Sequence, residues 1–149
     1  MEITKEEYSI STDRVKLDLQ FIHDYLSKES YWGQGIPFEK VVTAADHSLN
    51  FGLYHGDRQI GYARIVTDYA RVAYLADVFV ISGYRGRGLS KWLMQVVSDH
   101  PDLQRLRRWM LHTKDAHGLY TQFGWSTPAN PETYLEIYNP DAAWWAGRT

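Results

Sequence analysis

Cysteine is absent from this chain of 149 residues. Neither a disulfide framework nor a thiol nucleophile is available, so covalent chemistry has to proceed without an enzyme-bound thioester. Proline is sparse: the 5 prolines stand at positions 37, 101, 128, 131 and 140, between periodic segments rather than inside them. Nowhere do about 18 consecutive apolar residues occur, which excludes a membrane-spanning helix. The opening run Met1-Glu2-Ile3-Thr4-Lys5-Glu6-Glu7 lacks the basic and then apolar pattern of a secretory leader. A cytoplasmic protein with no membrane partner is therefore expected. Charge of one sign is also lacking, because 16 Lys and Arg stand against 18 Asp and Glu for a net charge of -2. That balance excludes a general nucleic-acid binder working through a basic surface. Internal repeats and low-complexity tracts are absent too.

What the chain does contain is core material. Hydrophobic residues make up 44% and aromatic residues 15%, ample for one domain over residues 1–149 with a single core. A short strand is expected at Tyr8 to Ile10. A helix capped by Thr12 or Asp13 follows, with Val15, Leu19, Ile22 and Leu26 on one face. Tyr31-Trp32-Gly33-Gln34-Gly35-Ile36-Pro37 is a glycine-broken aromatic loop, and Pro37 suits the start of a second helix reaching about Ala45. Ser48 to His55 and Gln59 to Thr67 flank a hairpin signal at Gly56-Asp57-Arg58. Tyr74 to Ile81 is nearly all apolar, as in a strand buried on both faces. Leu89, Trp92, Leu93, Val96 and Val97 recur at helical spacing before Pro101. Arg108 to Thr113 reads as a strand, Ala116, Leu119, Tyr120 and Phe123 as one helix face ended by Gly124, and Thr133 to Tyr138 as a last strand. The sum is a single-domain α/β fold, a mixed sheet of six to seven strands with helices on both faces.

The most informative junction is Val78-Phe79-Val80-Ile81-Ser82-Gly83-Tyr84-Arg85-Gly86-Arg87-Gly88-Leu89-Ser90, an apolar strand that turns directly into a helix. Glycines permit a tight bend and a close backbone approach, and the first amides of the new helix lack partners within it. Together with the helix dipole and the side chains of Arg85 and Arg87, those amides favour an anion such as a phosphate. The glycines run G-x-x-G-x-G, which fits neither a Walker loop nor a dinucleotide fingerprint. With its flanks, Arg85-x-x-Gly88-x-Ser90 resembles the acyl-CoA pyrophosphate loop of the GNAT acetyltransferase superfamily, with Ser90 where glycine or alanine is usual. A second segment, Ala116-His117-Gly118-Leu119-Tyr120-Thr121-Gln122-Phe123-Gly124-Trp125, is similar to that superfamily's A-x-x-L-Y-x-x-x-G-F signature, with Trp125 in place of phenylalanine.

The resemblance implies acetyl-CoA as cosubstrate, held by the loop residues Arg85, Gly86, Arg87, Gly88, Leu89 and Ser90 and by the backbone of Phe79 and Val80, which pairs with the pantetheine arm like an added strand. Thr113 stands where relatives often place an asparagine facing that arm. Tyr120 matches a tyrosine that in many relatives protonates the departing thiolate; its other reading is a core tyrosine with a satisfied hydroxyl. Asp77, the lone carboxylate of its strand, is the candidate base for a protonated amine, or else a strand-end aspartate that faces solvent or pairs with an arginine such as Arg64 or Arg71. Tyr31 and Trp32 belong to the region that caps the acceptor site, where aromatic faces attract cations; the alternative is a hydrophobic staple under the sheet. His117 is a candidate acceptor-pocket or relay residue, or a polar surface group. No metal is expected, because the 6 histidines are scattered and show no H-E-x-x-H pattern. Trp144 and Trp145 suit either a sheet-edge cover or a homodimer contact. The expected activity is direct acetyl transfer from acetyl-CoA to a primary amine of a small molecule. The alternatives are a non-catalytic acyl-CoA sensor and a structural partner using its exposed aromatics.

Overall fold

The computed structural model describes residues 1–146. Six strands form one sheet in sequence order: β1 (Glu2–Lys5), β2 (Tyr8–Ser11), β3 (Leu49–His55), β4 (Arg58–Thr67), β5 (Val72–Val80) and β6 (Arg108–Leu111). Neighbours are antiparallel except β5 and β6, which are parallel because the chain crosses over between them through a helix. Helices α1 (Leu19–Lys28) and α2 (Phe38–Asp46) cover one face; α3 (Leu89–Asp99) and the short α4 (His117–Thr121) cover the other. The mixed sheet sandwiched by helices is therefore as the sequence implies, with six strands.

Two cores result. Ile22, Tyr25, Leu26, Val41 and Ala45 bury against Tyr62 and Phe79 on the α1 and α2 side. Ile10, Phe51, Leu53, Ile60 and Ile65 bury against Leu89, Leu93, Met94 and Val97 on the other. The α3 stripe is the expected one with Met94 added, while Trp92 is only half-buried.

The first helix starts later than its apolar spacing implies. Asp13 caps only a 3-10 turn at Arg14–Lys16, accepting from the Val15 N–H at 3.0 Å, and Val15 is 88% exposed. Asp18 then caps α1 by accepting from the Phe21 N–H at 3.0 Å, while its own N–H donates to Gln59 Oε1 at 2.8 Å. That anchor to β4 sets the start of the helix, which local periodicity cannot know.

The last strand expected, Thr133 to Tyr138, does not form. A 3-10 turn at Pro131–Thr133 leads into irregular, exposed chain. Alternation along a segment records a local preference, whereas a strand needs a partner ladder, and β6 remains the sheet edge.

One irregularity shapes everything near the site. Tyr62 pairs with Phe79 and Arg64 with Ala76, so Ala63 faces two residues, Asp77 and Val78. This β-bulge shifts the pleat by one: Ala73 and Leu75 face the α3 side, but beyond it Phe79 turns to α1 and Val80 to α3. Asp77 takes up the kink with φ 53°, a left-handed conformation that aspartate tolerates better than most residues.

Beside the bulge, Gly61 lets β4 close onto β5, since a Cβ there meets the Phe79 carbonyl oxygen at 2.8 Å and Leu53 Cδ2 at 3.0 Å. Gly61→Ala should destabilise the fold by about 1–3 kcal/mol. Urea unfolding checks this; a loss below about 0.5 kcal/mol means that the two strands separate freely here.

Candidate active site

The turn after β5 begins with a 3-10 turn, Ser82–Tyr84, and passes through two left-handed glycines, Gly86 at φ 79° and Gly88 at φ 75°. Gly88 is the N-cap of α3 and offers no side chain to its amides. The first amide of α3 with a helical acceptor is Trp92 N–H, which donates to the Gly88 carbonyl at 3.0 Å. The N–H groups of Leu89, Ser90 and Lys91 are thus left at the positive end of the dipole. A Cβ built at Gly83, Gly86 or Gly88 meets no atom within 4 Å, so the backbone face of the loop is open. These features fit the diphosphate of an acyl-CoA.

The two arginines brace the loop. Arg85 Nε donates to the Val80 carbonyl at 2.9 Å and Nη2 to the Tyr25 hydroxyl at 3.0 Å. Tyr25 in turn stacks on Phe79, with centroids 3.8 Å apart and planes 8° from parallel. Arg87 Nη1 donates to the Tyr8 hydroxyl at 3.1 Å and its guanidinium lies 5.1 Å from the Tyr84 ring centre. Arg85 reaches the strand and α1 instead of projecting outward, and Val80's carbonyl is already engaged. Ser90, half-buried, follows Leu89 in the first turn.

Just ahead of the bulge the sheet opens. The β5–β6 ladder runs only from Val72↔Arg108 to Leu75↔Leu111, while the β4–β5 ladder continues to Gly61↔Val80. From Ala76 onward the β6-facing backbone of β5 has no strand partner. A cavity of about 420 Å³ occupies this splay, lined by Leu75 to Val78 from β5, by Leu111 to Ala116 after it, and by Tyr31, Trp32, Tyr74 and Tyr120.

Five of the residues singled out in the sequence, Tyr31, Trp32, Asp77, Thr113 and Tyr120, line this cavity. Tyr120 is 8% exposed, and its hydroxyl makes no hydrogen bond among the described residues yet is not sealed off from the cavity. Burial pushes its phenol up to about 12, with Tyr31 and Asp115 adding to the effect. Asp77 Oδ2 accepts from Arg64 Nε at 2.8 Å and Oδ1 from Trp32 Nε1 at 2.9 Å. This is the arginine pairing that the sequence left open, and it occurs in the cavity wall. Tyr31's hydroxyl accepts from the Lys114 N–H at 3.0 Å, and Lys114 Nζ lies 5.5 Å from the Tyr31 ring centre. The aromatic loop thus straps β5 to the β6–α4 connection. It does not staple the core, since Tyr31 and Trp32 are 46% and 41% exposed.

Other expectations land differently. Thr113 lines the cavity, but its Oγ1 accepts from the Ala116 N–H at 3.0 Å and so helps open α4. His117 sits exposed on α4 and does not line the cavity, whereas His112 does, its ring 5.9 Å from that of Tyr74. Tyr74, Lys114 and Asp115 also line it and carry no sequence motif. Only their nearness to Asp77 and Thr113 along the chain pointed their way. Trp145 packs over Gly35, and Lys40 Nζ lies 5.8 Å from the Trp144 ring centre, so this pair covers the α1–α2 side, not a sheet edge.

The sequence profile of the Acetyltransferase (GNAT) family matches residues 19–125. A crystal structure from Xanthomonas campestris pv. campestris, assigned to the GNAT family as a candidate acetyltransferase, is 48% identical and superposes with a TM-score of 0.88 over 91% of this chain and 95% of its own. A Gibberella zeae protein, also named as a candidate acetyltransferase, is 28% identical over 78% of this chain and 77% of its own. A Clostridium acetobutylicum protein, named as a candidate acetyltransferase and crystallised with acetyl-CoA, has the same fold, with a TM-score of 0.63 over 93% of this chain and 96% of its own at 13% identity. Strand, glycine turn and splayed cavity thus coincide with a family-wide match, and the chain belongs to the GNAT acetyltransferase family, as an acyltransferase.

Proposed function

We propose that this enzyme transfers an acetyl group from acetyl-CoA directly to the primary amine of a small molecule, within the cavity between β5 and β6. The observation that carries this reading is the β5 backbone left without a strand partner from Ala76, which leads into an open glycine turn and borders the cavity lined by Asp77 and Tyr120. The loop amides hold the diphosphate, and backbone from Ala76 to Phe79 receives the pantetheine arm as an extra strand. The thioester then lies in the splay, where an amine reaches its carbonyl carbon. As the C–N bond forms and the C–S bond breaks, the amine sheds a proton and the sulfur gains one. Holding both reactants in place can supply about 7–11 kcal/mol of the barrier reduction.

Tyr120, a buried tyrosine whose hydroxyl makes no hydrogen bond among the described residues, lines this space. At about 12, full transfer of its proton to an ordinary thiolate near 8.5 runs uphill by about 5 kcal/mol. Its role is therefore a hydrogen bond that steadies the sulfur as charge develops there, with the proton moving on only as another replaces it. Asp77, committed to Arg64 and Trp32, keeps lone pairs that draw in the acceptor's ammonium and take up its proton, directly or through water. Asp115 adds a second carboxylate and Tyr74 a further aromatic wall, a lining that suits a cation. The volume suits a metabolite.

Release of free thiol from acetyl-CoA, assayed across a panel of small amines, should be stimulated by at least one of them; binding of CoA with no stimulated release would leave a sensor instead. Tyr120→Phe should lower kcat by roughly 10²-fold with the KM for acetyl-CoA nearly unchanged. Because burial raises the phenol to about 12, the donor form persists below that pH and is lost only above it. The wild-type kcat profile should accordingly show no descending limb below about pH 10, and a limb there that vanishes in Tyr120→Phe would contradict the assignment. Gly88→Ala places a methyl group in a left-handed turn, costing about 1–2 kcal/mol of stability. By intruding on the anion site it should also weaken CoA binding at least tenfold by calorimetry; unchanged affinity would move the diphosphate elsewhere.

A further inference from the structure

The loop that joins α1 to α2 carries two aromatic side chains of the cavity wall and is held from three sides. At its root the Gly33 N–H donates to Ser30 Oγ at 2.9 Å and the Gly35 N–H to the Ser27 carbonyl at 3.0 Å, so the chain folds back on the end of α1. Toward the cavity Trp32 donates to Asp77, and Tyr31 accepts from Lys114. On the outer side lies Trp145. A Cβ built at Gly35 meets Trp145 Cη2 at 3.3 Å and Cζ2 at 3.5 Å, so the indole rests where any other residue would put its side chain. Gly35 also has φ 73°, a left-handed conformation that suits glycine.

The segment that delivers Trp145 is built from successive turns. The Asp141 N–H donates to Asn139 Oδ1 at 3.0 Å, the Ala143 N–H to Asp141 Oδ1 at 2.9 Å and the Ala146 N–H to the Ala143 carbonyl at 2.9 Å. They end in the 3-10 turn Trp144–Ala146. The Trp144 ring stands edge-on to that of Trp145, with centroids 5.7 Å apart. Lys40, in the first turn of α2, places its ammonium 5.8 Å from the Trp144 ring centre. The pair of indoles is thereby fastened both to the loop and to the helix that follows it.

We infer that Trp145 is a positioning residue for acceptor binding, its indole packing across Gly35 so that Tyr31 and Trp32 stay against the cavity. The inference rests on the reading of that cavity as the acceptor site. Tyr31 and Trp32 are 46% and 41% exposed, and each holds the far wall by one hydrogen bond, whose net gain is small where water can replace it. The conformational freedom of a loop with two glycines opposes them. An indole laid over the loop from outside removes apolar surface from water and restricts Gly35, which tips that balance toward the ordered loop. The anion turn has separate braces, Arg85 to Tyr25 and Arg87 to Tyr8. Trp145 therefore acts on the amine and not on acetyl-CoA.

Hydrogen exchange of the full chain, followed by mass spectrometry, tests the packing without any ligand. Trp145→Ala should speed exchange of the amides of Gly33, Gly35 and Ile36 by about fivefold or more, with the peptide spanning α3 unchanged, and Trp145→Phe should restore most of the protection. Unaltered exchange in the loop, or equal acceleration in α3, overturns the inference. The amine that most stimulates thiol release from acetyl-CoA then supplies the functional readout. Apparent affinity falls with the fraction of chains that hold the loop in place, so Trp145→Ala should raise the KM for that amine by about fivefold while the KM for acetyl-CoA stays the same. A rise in both, or in neither, overturns it as well. Failure of every amine to stimulate release would instead count against the cavity as an acceptor site, a result separable from the exchange rates of the loop.

Discussion

Arg64 grips Asp77 at 2.8 Å where β5 carries one residue too many, and the candidate cavity is walled by that clamped strand. The extra residue needs a left-handed backbone, which the ion pair and the Trp32 indole together hold in place. At the bulge the strand bends and its faces exchange, its pairing with β6 having ended just before, at Leu75. With only 14% of its side chain exposed, Asp77 also draws much of its strength from being shielded, so loss of either partner leaves a costly unpaired charge.

A second set of contacts holds the anion turn in register with the cavity. Phe79, turned by the bulge toward α1, stacks on Tyr25; Tyr25 accepts from Arg85; Arg85 returns to the Val80 carbonyl. Strand, helix and turn thereby share one rigid corner. Arg87 ties the far side of the turn to Tyr8, whose ring packs with His55 and Tyr84. The arginines thus do more to shape the loop than a count of positive charges conveys, and the glycine backbone is left open.

Legibility in the sequence follows the range of the interactions. The α3 stripe, the hairpin at Gly56-Asp57, the glycine turn and the α4 signature were all readable because each is decided within a few residues. Asp77, Tyr120, Tyr31, Trp32 and Thr113 were singled out and do share one cavity. His117 was readable as a polar residue near the site, yet helix phase puts it outside while His112, across a short turn, faces in. The start of α1 depended on Gln59, 41 residues away from Asp18, and no local pattern encodes that. The pairing of Thr133 to Tyr138 failed to appear for a related reason: alternation states that a segment suits a strand, not that an edge lies within reach.

By itself, then, the amino-acid order determined the chemistry on offer: an anion-binding bend, an aromatic strap, a carboxylate and a phenol, and no thiol. Those properties reside in residue types and in spacings shorter than one helix or strand, so they need no fold to be read. Only the tertiary structure decided that the carboxylate is clamped by an arginine, that the phenol is buried and unpartnered, and that β5 and β6 part between them. Those outcomes depend on register and burial, which arise when distant segments pack and which single positions do not carry.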